Sequence, residues 1–117
     1  MSTRSLTVVL DEEGNDVMVL YRHWDGYPDA HGQELKKFLF GRKIVNGIGA
    51  NDKNNFNGME CLAASLVAHF KKGIGDFYLY PADTRDMGEE YIYYIEDKDG
   101  EPYITCRDVY NNKNIEL

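Results

Sequence analysis

An imidazole and a carboxylate lie two positions apart in the stretch Tyr21–Pro28, as His23 and Asp25. In an extended segment both side chains would point to one face, with Trp24 on the other. Such a pair predicts a general base with its orienting acid, or a basic group whose pKa the acid raises. The alternative is a structural turn in which Asp25 caps local amides and Trp24 fills the core. Because no Ser or Cys stands at a recognisable nucleophile spacing, we favour the structural turn over catalysis. Binding of a small planar ligand needs only an aromatic face, a donor and an acceptor, so we also favour binding over catalysis.

Two further polar groups extend this candidate site. Arg4 begins the first predicted strand and would lie near His23 and Asp25 if the hairpin register is simple; the alternative is an exposed side chain on a frayed terminus. The charged loop 83–90 could coordinate a cation or clamp an anion, or be held by local Asp–Arg pairs. The predicted ligand-binding set is Arg4, His23, Trp24, Asp25, Tyr27, Arg85 and Asp86.

The sequence predicts neither a metal site nor a cofactor. The three histidines match no zinc motif, and Cys61 and Cys106 stand alone. A calcium loop around Asp97–Gly100 would need ligands where Ile95 and Cys106 stand. The segment Gly47–Gly49 precedes a predicted helix, as phosphate-binding loops do, but it lacks the lysine and the glycine spacing of such loops.

Composition limits the classes of function. The chain has 117 residues, enough for one domain with its own core. Its net charge of −7 argues against direct nucleic-acid binding. No apolar run reaches membrane-spanning length and no signal peptide is apparent, so we expect a cytoplasmic protein with reduced cysteines. The nine Tyr and five Phe favour a flat ligand or self-association as a homodimer.

Patterning predicts how the chain positions these groups. Strands are expected at 5–10 and 17–22, forming a hairpin, and a helix capped by Asp29 should run to about Phe40, with Gly41 left-handed at its end. An irregular segment, 42–55, should follow. It leads to a second helix that begins with a capping box of Asn57 and Glu60, carries Lys71 and Lys72 in its last turn and ends at Gly73.

The last third of the chain predicts strands at 76–80, 91–96 and 101–106. The final two should be joined by a tight turn at Asp99 and Gly100, and Pro102 favours an edge position. Residues 111–117 resemble a polar, flexible tail. The order β-β-α-α-β-β-β predicts a single α+β domain, with two helices on one face of a largely antiparallel sheet.

Three segments carry a resemblance to a known group of proteins: Met1–Ser5, the block His23–Pro28, and Thr84–Tyr91. Together they resemble a family of small proteins from bacteriophages, prophages and related elements. The similarity spans nearly the whole chain, and the six-residue block is its most specific part. The resemblance implies a phage or mobile-element origin and a role during infection, in the host cytoplasm. It carries no catalytic assignment.

Three hypotheses of function follow. The first is a non-catalytic binding module that sequesters a nucleotide-like small molecule in host–phage conflict. The second is an anti-defence or regulatory protein that binds a host protein through an acidic, Tyr-rich surface. The third is a small hydrolase that uses His23 and Asp25. In the first two the partner is a small molecule or a host protein.

Overall fold

The computed structural model describes residues 2–47 and 54–117, and these form strands, two α-helices and one π-helical turn. The helices are α1 (Gln33–Leu39) and α2 (Met59–Phe70), and the π-helical turn, Pro28–Gly32, leads directly into α1. The strands are β1 (Ser5–Leu10), β2 (Asp16–Arg22), β3 (Ile44–Val45), β4 (Phe56–Asn57), β5 (Phe77–Tyr80), β6 (Tyr91–Lys98), β7 (Glu101–Asp108) and β8 (Lys113–Ile115).

Six of these strands form one sheet in the order β5-β2-β1-β6-β7-β8, and β3 pairs with β4 separately. Within the large sheet, β1 and β6 are parallel and every other pair is antiparallel. The prediction of an α+β domain with a largely antiparallel sheet is therefore confirmed. The element order is richer than predicted, because β3, β4, β8 and the π-helical turn were not expected.

Alternation along the strands divides the apolar residues between the two faces of the sheet. One face carries Val9, Leu20 and Ile95, and both helices pack against it through residues such as Leu35 and Leu66. The other face carries a smaller cluster, Leu6, Val8, Val19, Tyr21 and Ile92. Because side chains alternate along a strand, Arg22 and Thr7 lie on the helix-bearing face, whereas Tyr21 lies on the opposite one.

Two predicted helix starts were wrong. Asp29 is not an N-cap, because the chain enters a π-helical turn at Pro28. The capping box of Asn57 and Glu60 is absent: Asn57 lies in β4, and the helix follows Gly58 without a cap from its own neighbours. Instead, Oε1 of Glu12 accepts a hydrogen bond from the Met59 amide, at 3.2 Å. Glu12, which is distant in sequence, therefore provides the cap that Asn57 and Glu60 were expected to provide.

The C-terminal segment was expected to be a polar tail, and this was wrong. Residues 113–115 form β8, which pairs with β7 from Cys106 to Asp108. β8 pairs only with Cys106–Asp108, so the part of β7 that contains Pro102 is an edge of the sheet, as predicted. The turn at Asp99 and Gly100 also forms as predicted, with φ of +55° and +82°.

The segment 42–55 contains β3, and Gly41 has the expected left-handed φ of +74°. Of the suggested phosphate loop Gly47–Gly49, residues 48 and 49 lie outside the described part of the chain. Neither α1 nor α2 is long and apolar enough to cross a bilayer.

Candidate functional site

The most unusual feature of the helix-bearing face is a buried arginine. Arg22 ends β2 opposite Ser5 of β1, and only 9% of its surface is exposed. Its guanidinium lies over the ring of Phe77, with Cζ 4.9 Å from the ring centroid. A buried charge requires partners, because desolvation otherwise costs several kcal/mol. The surroundings of Arg22 supply them from two segments of the chain, 31–34 and 76–77.

The first partner is His31, which is completely buried. Nη1 of Arg22 lies 3.0 Å from Nδ1 of His31, and Nε2 of His31 lies 2.9 Å from Oγ1 of Thr7. Since a guanidinium can only donate, Nδ1 must be the unprotonated nitrogen, and Nε2–H donates to the Thr7 hydroxyl. Burial, together with the Arg22 charge, lowers the pKa of His31 to about 3, so the imidazole is neutral at physiological pH.

Two carboxylates complete the environment of the guanidinium. Nη1 also donates to Oε2 of Glu34 at 2.9 Å, and Nε lies 3.7 Å from Oδ2 of Asp76. The Asp76 contact is too long for a hydrogen bond, and Nε is a buried atom without a hydrogen-bond partner. Asp76 also accepts from the Trp24 amide through Oδ1, at 2.9 Å. Arg22 is therefore anchored on several sides while one of its donors is unsatisfied.

Arg22 lines a surface cavity of about 520 Å³ between α1, α2 and the start of β5. The apolar lining consists of Phe38, Phe70 and Phe77, all largely buried. The remaining lining side chains are polar or charged: Glu34, Lys37, His69 and Lys72. We call this the Arg22 cavity. It places three cationic side chains and one carboxylate beside aromatic rings, in a protein whose net charge is −7.

The predicted site block has a different geometry from the one expected. Asp25 has a left-handed φ of +58°, so the segment is not extended and His23 and Asp25 do not share a strand face. Both ring nitrogens of His23 lie near hydroxyls: Nδ1 is 2.8 Å from Tyr21 Oη, and Nε2 is 3.0 Å from Ser2 Oγ. Trp24 is 51% exposed, so the alternative in which it fills the core was wrong.

The rest of the block forms a turn tied to its surroundings through the backbone. The Asp25 carbonyl accepts from the His31 amide at 3.2 Å, and the Gly26 amide donates to the Thr3 carbonyl at 2.9 Å. A Cβ at Gly26 would lie 2.7 Å from the Thr3 oxygen, so this close approach requires glycine. Tyr27 precedes the π-helical turn and is 42% exposed. The block therefore orients the turn that carries His31 inward.

The N-terminal segment runs beside the block, and Arg4 lies within electrostatic range of Tyr21, whose hydroxyl contacts His23. The Arg4 carbonyl accepts from the Glu90 amide at 2.8 Å. A Cβ at Gly88 would lie 2.5 Å from Nη1 of Arg4, which shows that the guanidinium occupies the space that this glycine leaves. Arg4 therefore meets the end of the loop 83–90.

Arg85, by contrast, contacts the far end of β2. Arg85 donates to the Thr84 carbonyl at 2.7 Å and pairs with Oδ2 of Asp16 at 3.3 Å, at the opposite end of β2 from Arg22. Asp86 is exposed, with φ of +60°. Arg4, His23, Asp25 and Arg85 do not line the Arg22 cavity, and the ligand-binding role of the predicted set stays a prediction.

Sequence reasoning missed Arg22, His31, Glu34 and Asp76 as a group. One signal for Arg22 was available: it follows Met18 and Leu20 at the spacing of two that marks one strand face, and a charged residue on a core face is informative. No comparable signal marks His31, because its direction depends on a π-helical turn. The pairing with Glu34 and Asp76 depends on the tertiary fold.

The cationic and aromatic side chains of the Arg22 cavity could contact an anion and a flat ring. Within residues 2–47 and 54–117, no group of three or more His, Cys, Asp or Glu side chains could hold a metal ion. The lining also contains no serine or cysteine that could act as a nucleophile. Comparison of the chain with protein-family models, curated proteins and solved structures finds no match, so the interpretation of the site depends on its own geometry.

Proposed function

We propose that this protein is a non-catalytic binding module that sequesters a small, planar, anionic molecule of nucleotide type, and that the Arg22 cavity is its binding site. The observation that carries the proposal is the buried Arg22, held at the wall of an aromatic-lined cavity of about 520 Å³. Small-molecule sites are typically concave, mainly apolar and several hundred Å³ in volume, with a few precisely placed polar groups.

Charge supports an anionic ligand. Lys37 and Lys72 are exposed beside the cavity, and Arg22 forms part of its wall. An acidic protein that concentrates cationic side chains around one concave surface attracts an anion there and repels it elsewhere. The phenylalanine side chains offer apolar area to a flat ring. The role in host–phage conflict comes from the resemblance of the sequence to phage proteins.

Thermal-shift measurements across nucleoside mono-, di- and triphosphates and cyclic nucleotides test the proposal. A ligand present at 100 times its Kd stabilises the folded state by about 2.7 kcal/mol, which corresponds to a rise in Tm of several degrees for a domain of this size. We expect at least one nucleotide to produce such a rise. If no member of the panel raises Tm, nucleotide binding is excluded.

Charge-neutralising variants locate the binding site. Lys37→Gln and Lys72→Gln each remove one exposed cation beside the cavity, and we expect each to weaken nucleotide binding about threefold or more. Lys113→Gln is the matched control, because Lys113 is exposed in β8, at the other edge of the sheet from β5. Equal weakening by all three variants would indicate a general charge effect and would contradict the assignment to this cavity.

Binding of a host protein is the second candidate function, favoured by exposed apolar side chains around the turn into β5. Trp24 is 51% exposed, Ile74 105%, Tyr78 46% and Leu79 61%. Tyr78 pairs with Tyr21 and Leu79 with Leu20, so these two lie on opposite faces of the edge strand. Exposed aromatic and apolar residues along a sheet edge are typical of protein interfaces. Affinity capture from host lysate tests this candidate by comparing the protein with an Ile74→Ser/Leu79→Ser variant. If the variant captures the same specific partner as the unmodified protein, that partner does not bind this surface.

A further inference from the structure

The Arg22–Glu34 ion pair is unequal in its exposure. The two side chains are joined at 2.9 Å, yet the Arg22 side chain is 11% exposed and the Glu34 side chain 48%. Both line the Arg22 cavity, and Glu34 also lines a second cavity, of about 490 Å³, along α1. The carboxylate of Glu34 therefore stands between solvent and the buried guanidinium.

The position of Arg22 does not depend on Glu34. His31 accepts from Nη1 at 3.0 Å, the Phe77 ring lies 4.9 Å below Cζ, and Asp76 lies 3.7 Å from Nε. His31 is itself fixed by Thr7, and Asp76 by the Trp24 amide. Glu34, by contrast, has a half-exposed side chain whose carboxylate can turn into solvent by giving up one charge-assisted hydrogen bond.

We infer that the Glu34 carboxylate occupies the position of the ligand's anionic group, and that a phosphate binds by displacing Glu34 from Arg22. This inference rests on the proposed function and identifies the group of the ligand that contacts Arg22. With Glu34 turned away, the cavity lining holds three cationic side chains, Arg22, Lys37 and Lys72, and no carboxylate, while Asp76 remains behind the guanidinium at 3.7 Å from Nε. Three cations suit a phosphate dianion better than a carboxylate monoanion.

Glu34 also acts as a selectivity element in this arrangement. A weakly interacting anion cannot replace a carboxylate already joined to a guanidinium, so only a group that makes stronger or additional contacts can bind. The pair thereby keeps the charge of Arg22 compensated when no ligand is bound. Lys37, three residues later on the same helix, has the opposite role and attracts the phosphate.

Titration calorimetry with inorganic phosphate, adenosine 5′-monophosphate and adenosine tests the inference. Glu34→Gln keeps the shape of the side chain but removes the competing charge. We expect it to bind the monophosphate and phosphate about tenfold more tightly than the unmodified protein, the range of one hydrogen bond to a charged group. Adenosine should show no such gain, and acetate a much smaller one. Lys37→Gln should change phosphate affinity in the opposite direction.

Glu13→Gln is the matched control, because it removes the same charge from an exposed residue in the β1–β2 turn, far from the cavity. Its affinity for the monophosphate should equal that of the unmodified protein. Glu34→Ala provides a second variant: Arg22 then loses one partner, and phosphate should raise the Tm of this variant more than that of the unmodified protein.

The outcomes separate the inference from the proposed function. Equal or weaker binding of the monophosphate and phosphate to Glu34→Gln overturns the displacement of Glu34. If a nucleoside without phosphate nevertheless stabilises the protein, and Lys37→Gln and Lys72→Gln affect nucleotide binding as described, the binding function survives. A gain in Glu13→Gln as large as that in Glu34→Gln also overturns the inference. Failure of every compound to bind any variant removes both proposals.

Discussion

At the scale of single residues, His31 is a group whose protonation the fold controls strongly. Its neutral form is required by the geometry, since Nδ1 accepts from Arg22 and Nε2–H donates to Thr7. The rings of Phe70 and Tyr93 lie within 5.3 and 5.2 Å of the imidazole, in edge-on contact. Protonation at Nδ1 would break one hydrogen bond and place two positive charges side by side in the core. Burial, which disfavours the charged imidazolium, and the neighbouring Arg22 charge together lower the pKa of His31.

The lowered pKa makes stability depend on pH. The pKa of His31 falls from 6.5 in the unfolded chain to about 3 in the fold, so the unfolded state binds a proton that the native state does not. The stabilisation is therefore complete above about pH 6.5 and is lost as pH falls toward 3. We expect His31 to account for a decrease of about 2 kcal/mol in the free energy of unfolding between pH 7.5 and pH 5, measured by urea denaturation.

His31→Gln is the variant that isolates this contribution. The amide can replace one of the two hydrogen bonds but does not titrate, so the variant should be less stable at pH 7.5 and its stability should change less toward pH 5. A pH dependence identical to that of the unmodified protein would show that another group is responsible.

At the scale of elements, α2 shows how a predicted helix can have an unpredicted cap. The helix and its core face were correctly predicted, because Leu62 and Leu66 recur at helical spacing and both are buried, but it ends at Phe70 and not at Gly73. Its N-terminus could not be predicted, since the acceptor for the Met59 amide is Glu12 of the β1–β2 turn. A capping partner 47 positions away in sequence leaves no local pattern. The pairing of Arg22 with Asp76 could not be predicted for the same reason, because the two residues are far apart in sequence.

Removal of this cap tests its contribution. Glu12→Ala leaves the Met59 amide without its side-chain acceptor and removes a negative charge from the positive end of α2. We expect the free energy of unfolding to fall by about 1 kcal/mol, as measured by chemical denaturation. Glu13→Ala, one position later in the same exposed turn, is the control and should be close to neutral.

In the turn that leads into α1, an unusual residue is visible in the sequence but its cause is not. Glycine has a low helix propensity, so Gly32 would weaken the first turn of a helix that began at Asp29, but in the structure it belongs to the π-helical turn. A Cβ at Gly32 would lie 3.0 Å from Cδ2 of Leu117 and 3.3 Å from Cε1 of Tyr93. The glycine is thus explained by close packing against other elements. Helix propensity correctly marked the position as unusual, but the reason lies in the tertiary structure.

At the scale of the whole molecule, strand order determined what the sequence could predict about the site. Hairpins β1–β2 and β6–β7 join neighbouring segments, and their turn residues identified them. The parallel pairing of β1 with β6 and the addition of β5 to β2 join distant segments. The addition of β5 to β2 brings Asp76 and Phe77 to Arg22. Periodicity could place Arg22 on the core face but could not identify its neighbours.

β8 and the two residues after it, which were predicted to be a flexible tail, pack against the rest of the domain. Ile115 and Leu117 pack against the main core, and Lys36 of α1 donates to the Leu117 carbonyl at 2.7 Å. A flexible tail would make none of these contacts. Since the segment joins β7 to α1 and the π-helical turn, it closes the helix-bearing side of the domain at the edge away from β5.

We therefore expect truncation of these two side chains to destabilise the protein. The double variant Ile115→Ala/Leu117→Ala removes partly buried apolar groups, and about 1 kcal/mol for each side chain is appropriate because they are only half-buried. The free energy of unfolding should fall by about 2 kcal/mol in urea denaturation. Glu116→Ala, at the exposed position between them, should change it little. If the double variant were as stable as this control, the segment would behave as the tail that composition alone suggests, and its packing against Gly32 and Tyr93 would contribute nothing to the fold.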